Sequence, residues 1–257
     1  MKALITCAQN PGVYFLEKWL PQLDFIYGDA VFIGQISAAQ QLILPEVSEW
    51  DFIHQLLNIC LDQQIEIVFA MGLAEQELLA EAVELFSEFN IKLHLPDLLL
   101  RKLLLDPAEI FRKLNFCGIK TVSHQITNSF GEFSKACLQL GYPTENVAVS
   151  SVQNQDLVWI VNDQLNANLI EGNPVIPFTK AAKLFAADEL LLLRSFKAST
   201  QKVYASFTDG KLESYWNLEN LSAEILQKIG VELKLNGLFE IQFQQEEFFN
   251  IKPFFVR

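Results

Sequence analysis

Apolar positions recur in two rhythms along this chain, and the rhythm changes near residue 142. Before that point, short apolar runs alternate with amphipathic stretches, the pattern of βαβ units around a parallel sheet. KALIT (2–6) reads as the first strand, AVFIG (30–34) as the second and IEIVFA (65–70) as the third. Ser48 with Asp51 three residues later reads as a capping box, and Phe52, Ile53, Leu56, Leu57 and Cys60 follow at helical spacing. A further helix is predicted over 75–89, with Leu78, Leu79, Ala82, Val83, Phe86 and Phe89 as its buried stripe. Helices laid against a parallel sheet make a three-layer, Rossmann-like α/β domain.

Two more helix starts follow, each with a side chain that can accept from the free N–H groups of a first turn. Asp106-Pro107-Ala108-Glu109 opens one, which Gly118 ends; Ser129-Phe130-Gly131-Glu132 opens the other, which Gly141 ends. Beyond Tyr142 the texture is β-rich: ENVAVSSV, DLVWIV, LLLLRSF, KVYASFTDGKLES and FEIQFQQEEFFNIKPFFV. TDG at 208–210 reads as a hairpin turn, because Asp-Gly accepts the positive φ angles of a two-residue loop. A final helix follows YWNLENLS, and no internal repeat or low-complexity linker interrupts the order.

Composition narrows the function classes. The 257 residues are 51% hydrophobic, enough for a large core in one to three compact units. The net charge is −12 with no Lys/Arg run, which argues against nucleic acid as a partner. No apolar run is long enough to span a bilayer and the start carries no signal-like pattern, so a cytoplasmic protein is expected. The 4 cysteines lie far apart, without zinc or disulfide-framework spacing, and His54, His94 and His124 lack paired spacing, so surface or core roles are expected. None of the 11 glycines forms a GxGxxG or GxxxxGK[ST] phosphate loop.

Several stretches carry a family likeness. LLLRKLLLDPAEIFRKLNFCGI (98–119) pairs a helix start with a Gly-Ile turn; FGEFSKACLQLGYPTENVAVSS (130–151) joins a helix, Leu-Gly-Tyr-Pro and a strand; LLLLRSF (190–196) is a hinge-like strand; NGLFEIQF and FFNIKPF form a closing hairpin. In this order the chain resembles the ATP-grasp ligases related to carbamoyl phosphate synthase. The resemblance implies a pre-ATP-grasp α/β domain at 1–98 and a shortened ATP-grasp domain at 99–257, divided into a small lobe (99–193) and a large lobe (194–257).

Such ligases activate a carboxylate as an acyl phosphate, so they neutralise a triphosphate with Mg²⁺, held by hard oxygen ligands, and with basic side chains. The matching positions here depart from that need. The nucleotide-strand lysine of a Val-Lys-Pro sequence falls at Val149-Ser150-Ser151, and the helix-start lysine falls on Pro107. In the stretch matching the hinge strand over the adenine, the resemblance makes Leu192 a nucleotide-cleft position, but the family's acid is replaced by Arg194, which offers pairing with Glu189 or stacking on a ligand. Gln242 stands in the first metal-ligand place, the Glu-x-Asn pair is replaced by Asn250 and Lys252, and Phe254 stands where an arginine often follows. Loops that help enclose phosphate are short, and the chain stops just after the hairpin.

These replacements predict a degenerate ATP-grasp protein, a binding or partner subunit with no catalytic residue, metal or cofactor of its own. An active ligase with ligands displaced to Glu240, Glu246 or Glu247, using ATP and Mg²⁺, is the alternative, and a nucleotide or metabolite sensor is a third reading. In the N-terminal domain, the TCAQNPG loop with Asn10, and Glu75 and Glu77 after the third strand, lie where α/β sheets bind ligands. A simple βα turn using Asn-Pro-Gly is the favoured reading of the loop, and an acidic helix start accounts for the two glutamates. Phe239, Phe243, Phe248, Phe249, Phe254 and Phe255 crowd one hairpin, so some are expected to face outward as an oligomer or partner interface.

Overall fold

The computed structural model describes residues 1–31, 41–152, 157–163, 169–181, 190–197, 199–218 and 221–254. Strand β1 (Lys2–Ile5) lies at the centre of a 5-stranded sheet, parallel to β2 (Asp24–Asp29) on one side and β4 (Ile67–Phe69) on the other. β3 (Gln41–Ile43) and β5 (Lys92–Leu93) extend it at the edges, both parallel to their neighbours. Alternation along β1 sends Leu4 to one face, covered by α2 (Phe52–Asp62), α3 (Leu73–Leu79) and α4 (Val83–Glu88). Ala3 and Ile5 point to the other face, under Leu16 and Trp19 of α1 (Phe15–Trp19). The expected three layers are present.

Three local expectations need correction. The second strand is Asp24–Asp29, where Phe25, Ile26 and Tyr27 are all buried, and not 30–34. Two apolar runs adjoin there, and the earlier one is drawn into register with β1, Lys2 opposite Asp24, leaving Val31 exposed; 32–34 lie outside the described residues. Helix α2 takes Asp51, not Ser48, as its N-cap, because turns at Glu46–Glu49 and Glu49–Phe52 precede helical geometry; the Ser48 hydroxyl donates to Glu46 instead. The helix predicted over 75–89 is two helices, broken at 80–82 by tight turns in which Glu81 and Ala82 donate to Leu78 and Leu79. The break turns Leu78 and Phe89 out to solvent.

Both later helix starts form as the caps predict. Asp106 Oδ1 accepts from Glu109 N at 3.0 Å to start α6 (Pro107–Phe116), and an unpredicted helix α5 (Leu98–Leu104) precedes it, with Asp97 Oδ1 accepting from Leu100 N at 2.7 Å. Ser129 caps α7 (Phe130–Gln139), whose buried Phe133, Ala136 and Cys137 cover one face of a 6-stranded sheet. That sheet contains β6 (His124–Thr127), β7 (Asn146–Ser151), β8 (Val158–Val161), β9 (Leu169–Ile170), β10 (Asn173–Ile176) and β11 (Leu191–Phe196), in the order β6-β11-β7-β8-β10-β9. After β10 comes the short helix α8 (Phe178–Ala181). The β6, β9 and β10 strands carry too little apolar pattern to have been predicted.

The last sheet has 4 antiparallel strands, β13-β12-β14-β15, formed by β12 (Thr200–Thr208), β13 (Lys211–Trp216), β14 (Gly237–Gln244) and β15 (Glu247–Pro253). Asp209 and Gly210, at φ 50° and 80°, make the two-residue turn that the sequence predicts. One face, with Val203, Ala205, Phe207, Phe239, Ile241 and Phe243, packs on α9 (Ala223–Leu233). Its opposite face carries Lys202, Tyr204, Glu240, Gln242 and Lys252 by strict alternation and pairing. The last sheet is joined to the parallel domain by a buried polar contact, His94 Nε2 at 2.9 Å from Ser206 Oγ, and by Leu238, which enters the apolar core under β1.

Among the described residues, the hairpin aromatics do not form an outward patch. Phe239, Phe243, Phe248 and Phe249 are buried within the chain, because β12, α6 and the 6-stranded sheet cover both faces; Phe254 is half-buried beside Tyr204 and Phe255 lies outside the described residues. No helix among the described residues is long and apolar enough to cross a membrane.

Candidate functional site

The 6-stranded and 4-stranded sheets face each other across a narrow cleft. Alternation along β11 points Leu191 and Leu193 at α7, and Leu192, Arg194 and Phe196 into the cleft. Ser150 of β7 lies opposite Leu192. Arg194 is 0% exposed, and its guanidinium donates to Ser150 Oγ at 3.1 Å and to the Phe249 carbonyl at 3.2 Å. Its Cζ sits 4.3 Å from the centroid of the Phe249 ring, a cation–π contact. Nε has no hydrogen-bond partner. With no carboxylate among the described residues to offset burial, the guanidinium is pushed down from its ordinary 12.5 to about 9, so it is still charged at neutral pH. One side chain from the hinge strand thus ties the two sheets together.

On the facing sheet, Glu240 gathers its neighbours on a single oxygen. Oε1 accepts from Gln242 Nε2 at 2.6 Å and lies 3.6 Å from Lys202 Nζ and 3.8 Å from Lys252 Nζ. Burial, and then Glu240, push the Tyr204 phenol up to about 12. Between the sheets is a cavity of about 330 Å³ bordered by Phe196, Phe249, Lys202, Gln242 and Lys252.

The residues singled out by sequence therefore divide. Ser150, Leu192, Arg194, Gln242 and Lys252 face the cleft, and Asn250, opposite Gln242, is 6% exposed. Val149 does not join them: it packs on the far side of β7 with Phe133 of α7. Pro107 occupies the first turn of α6, where it is buried as a helix-start residue. Glu247 pairs with Lys197 at 3.5 Å, and Glu246 sits in the β14–β15 turn at φ 69°, so of the three alternative acids only Glu240 reaches the cleft cluster. Lys202 escaped the sequence reading; only its pairing with Gln242 across β12 and β14 reveals it.

A second cluster stands at the carboxyl ends of β1 and β4, where strand order reverses. The Thr6 hydroxyl donates to Glu75 and accepts from Met71 N at 2.9 Å. Burial raises the Glu75 carboxyl above the usual carboxylate range, with smaller opposing hydrogen bonds from Thr6 and Gly72. The Cys7 thiol beside it is pushed up to about 12, first by burial and then by Glu75, so it is a poor nucleophile. Each group here is accounted for by closing a helix start. Glu77 stands apart, its carboxylate 3.6 Å from Arg101. His54 is exposed, His94 is buried against Phe69, and His124 stacks on Phe111 at 4.0 Å, all in the structural roles expected.

This order, a parallel α/β domain followed by two sheets that enclose a cleft, is the ATP-grasp fold. Among solved structures, the chain is similar over its whole length to a RimK-domain ATP-grasp protein from Sphaerobacter thermophilus, with TM-score 0.57, 12% identity and 92% of that chain covered. It also resembles N5-carboxyaminoimidazole ribonucleotide synthetase from Thermotoga maritima (TM-score 0.58, 14% identity, 98% of this chain and 68% of that one). D-alanine–D-alanine ligase from Bacillus anthracis, solved with ATP, gives TM-score 0.53 at 12% identity, covering 99% of this chain and 86% of that one. No sequence-family model matches the chain, and no curated protein matches it by sequence.

The Mg²⁺ that this fold implies does not fit the donors among the described residues. Hard cations need several oxygen ligands. Here one carboxylate, Glu240, is shared between two ammonium groups, and no group of three or more His, Cys, Asp or Glu suited to a metal occurs among the described residues.

Proposed function

We propose that this chain is an ATP-grasp-fold protein of the carbamoyl-phosphate-synthase-like kind that performs no ligation by itself and serves as a binding or partner subunit of a biosynthetic ligase system. In this reading residues 1–98 form the pre-ATP-grasp domain and 99–257 a shortened ATP-grasp domain. The observation that carries it is Arg194. A buried guanidinium spans the place between the sheets, bonded to Ser150 and the Phe249 carbonyl, while Glu240 on the 4-stranded sheet is taken up by Lys202 and Lys252. Catalytic groups act as units, so replacing the phosphate lysines, the hinge acid and the metal pair together removes the chemistry instead of weakening it. The test is phosphate release by the purified full chain with Mg-ATP and a panel of amino acids. Release no faster than in buffer is expected; sustained turnover with any of them refutes the proposal.

A further inference from the structure

The β9–β10 hairpin belongs to the 6-stranded sheet and borders the cavity of about 330 Å³ with Glu171 and Asn173, facing Thr200 and Lys202 of β12. Little backbone holds it there. Among the described residues β9 pairs only with β10, Ile170 opposite Asn173 and Leu169 opposite Pro174, and β10 meets β8 through Val175 and Ile176. Pro174 has no N–H to give. No residue of either strand is fully buried, and a two-stranded hairpin is marginal in water by itself.

Two strained residues meet across the gap. Glu171 and Gly172 make the two-residue turn at φ 49° and 79°, left-handed positions that favour Asn, Asp or Gly over glutamate. Ser199, on the approach to β12, stands at φ 79°. A single side chain joins them: the Glu171 carboxylate accepts from Ser199 N, and from Thr200 N at 3.0 Å to Oε1 and 3.1 Å to Oε2. Successive backbone N–H groups that converge on one oxyanion form a nest, and bonds to a charged acceptor are the stronger kind. Unfavourable backbone on both sides of one contact points to a functional role for it. Unlike Arg194, which is sealed between the sheets, Glu171 is exposed, so water can take over its bonds.

We propose that Glu171 is a latch: its carboxylate holds the β9–β10 hairpin shut against the start of β12, and release of the two N–H groups lets the hairpin move as one flap and open that side of the cavity. The inference goes beyond the non-ligating reading and does not depend on it.

Amide hydrogen exchange of the full chain, read by mass spectrometry in peptides from the hairpin, β12 and the parallel domain, tests it. In Glu171→Ala the amides between Leu169 and Ile176 should exchange together, about tenfold or more faster than in wild type, along with those of Ser199 and Thr200. Strands β1, β7 and β11 should keep their wild-type rates. Glu171→Gln, which keeps one acceptor oxygen, should fall in between. Glu171→Gly separates the latch from the turn, because it relieves the left-handed position while removing the carboxylate. It should speed hairpin exchange as alanine does if the carboxylate holds the flap, and slow it if turn geometry does. Unchanged exchange in the hairpin, faster exchange confined to Ser199 and Thr200, or slower exchange in Glu171→Gly overturns the proposal.

Discussion

Replacing Arg194 by methionine should stabilise the protein, although it deletes two hydrogen bonds. The side chain is 0% exposed, and burial, with no acid beside it among the described residues, lowers its pKa from 12.5 to about 9. At about 1.4 kcal/mol per unit, that shift corresponds to a cost of roughly 5 kcal/mol for holding the charge there. The bonds to Ser150 and the Phe249 carbonyl and the ring contact return about 1 kcal/mol each beyond what water offers. Methionine fills similar volume, so the net gain should be about 1–3 kcal/mol, in line with hydrophobic replacement of other buried ions. Arg194→Ala is expected to destabilise by about 2–4 kcal/mol, because it leaves a cavity between the sheets. Urea unfolding at pH 7, followed by tryptophan fluorescence and far-UV circular dichroism, reads both values. A loss of more than about 1 kcal/mol in Arg194→Met would refute the reasoning, because it would mean that the charge is better housed in the cleft than in water.

Two further outcomes test how the elements are joined. Burial holds His94 neutral down to about 3 against an ordinary 6.5, so its contribution is complete above about pH 6.5 and is lost as the pH falls toward 3, at about 1.4 kcal/mol per unit. The stability difference between wild type and His94→Leu should therefore shrink by about 2 kcal/mol between pH 7 and pH 5, and a difference independent of pH would contradict the burial argument. Gly210 has φ +80° and a Cβ there would lie 2.9 Å from the Gly230 carbonyl oxygen, whereas Gly118, at φ +81°, faces open space. Gly210→Ala should cost at least about 2 kcal/mol and Gly118→Ala about 1 kcal/mol in thermal unfolding; equal costs would show that the close approach to α9 is not rigid.

Much of the fold was legible because local signals and global packing agree. Asp106-Pro107 and Ser129 cap helices where they should, and Asp209-Gly210 turns the chain between β12 and β13. The second strand was misplaced because DFIYG and AVFIG are adjoining apolar runs, and only register with β1 chooses between them. The β9–β10 pair was missed because Asn173–Ile176 is half-exposed and contains a proline. Candidate cleft positions were legible by resemblance for Ser150, Arg194 and Lys252, yet their surroundings were not. The resemblance makes Lys252 only a replacement in the metal pair, whereas cross-strand pairing sets it opposite Glu240. A register shift between Gln242 and Phe243 hides that pairing from simple counting around the hairpin. For Arg194, stacking was foreseen on a ligand; the ring it meets is Phe249, brought in from β15.

The central claim is that the cleft bearing Lys202 and Lys252 does not take Mg-ATP. Titration calorimetry of the full chain with Mg-ATP up to millimolar concentration tests it most directly. The account predicts no saturable heat in the presence of Mg²⁺; a micromolar Kd that disappears when Mg²⁺ is removed would contradict it.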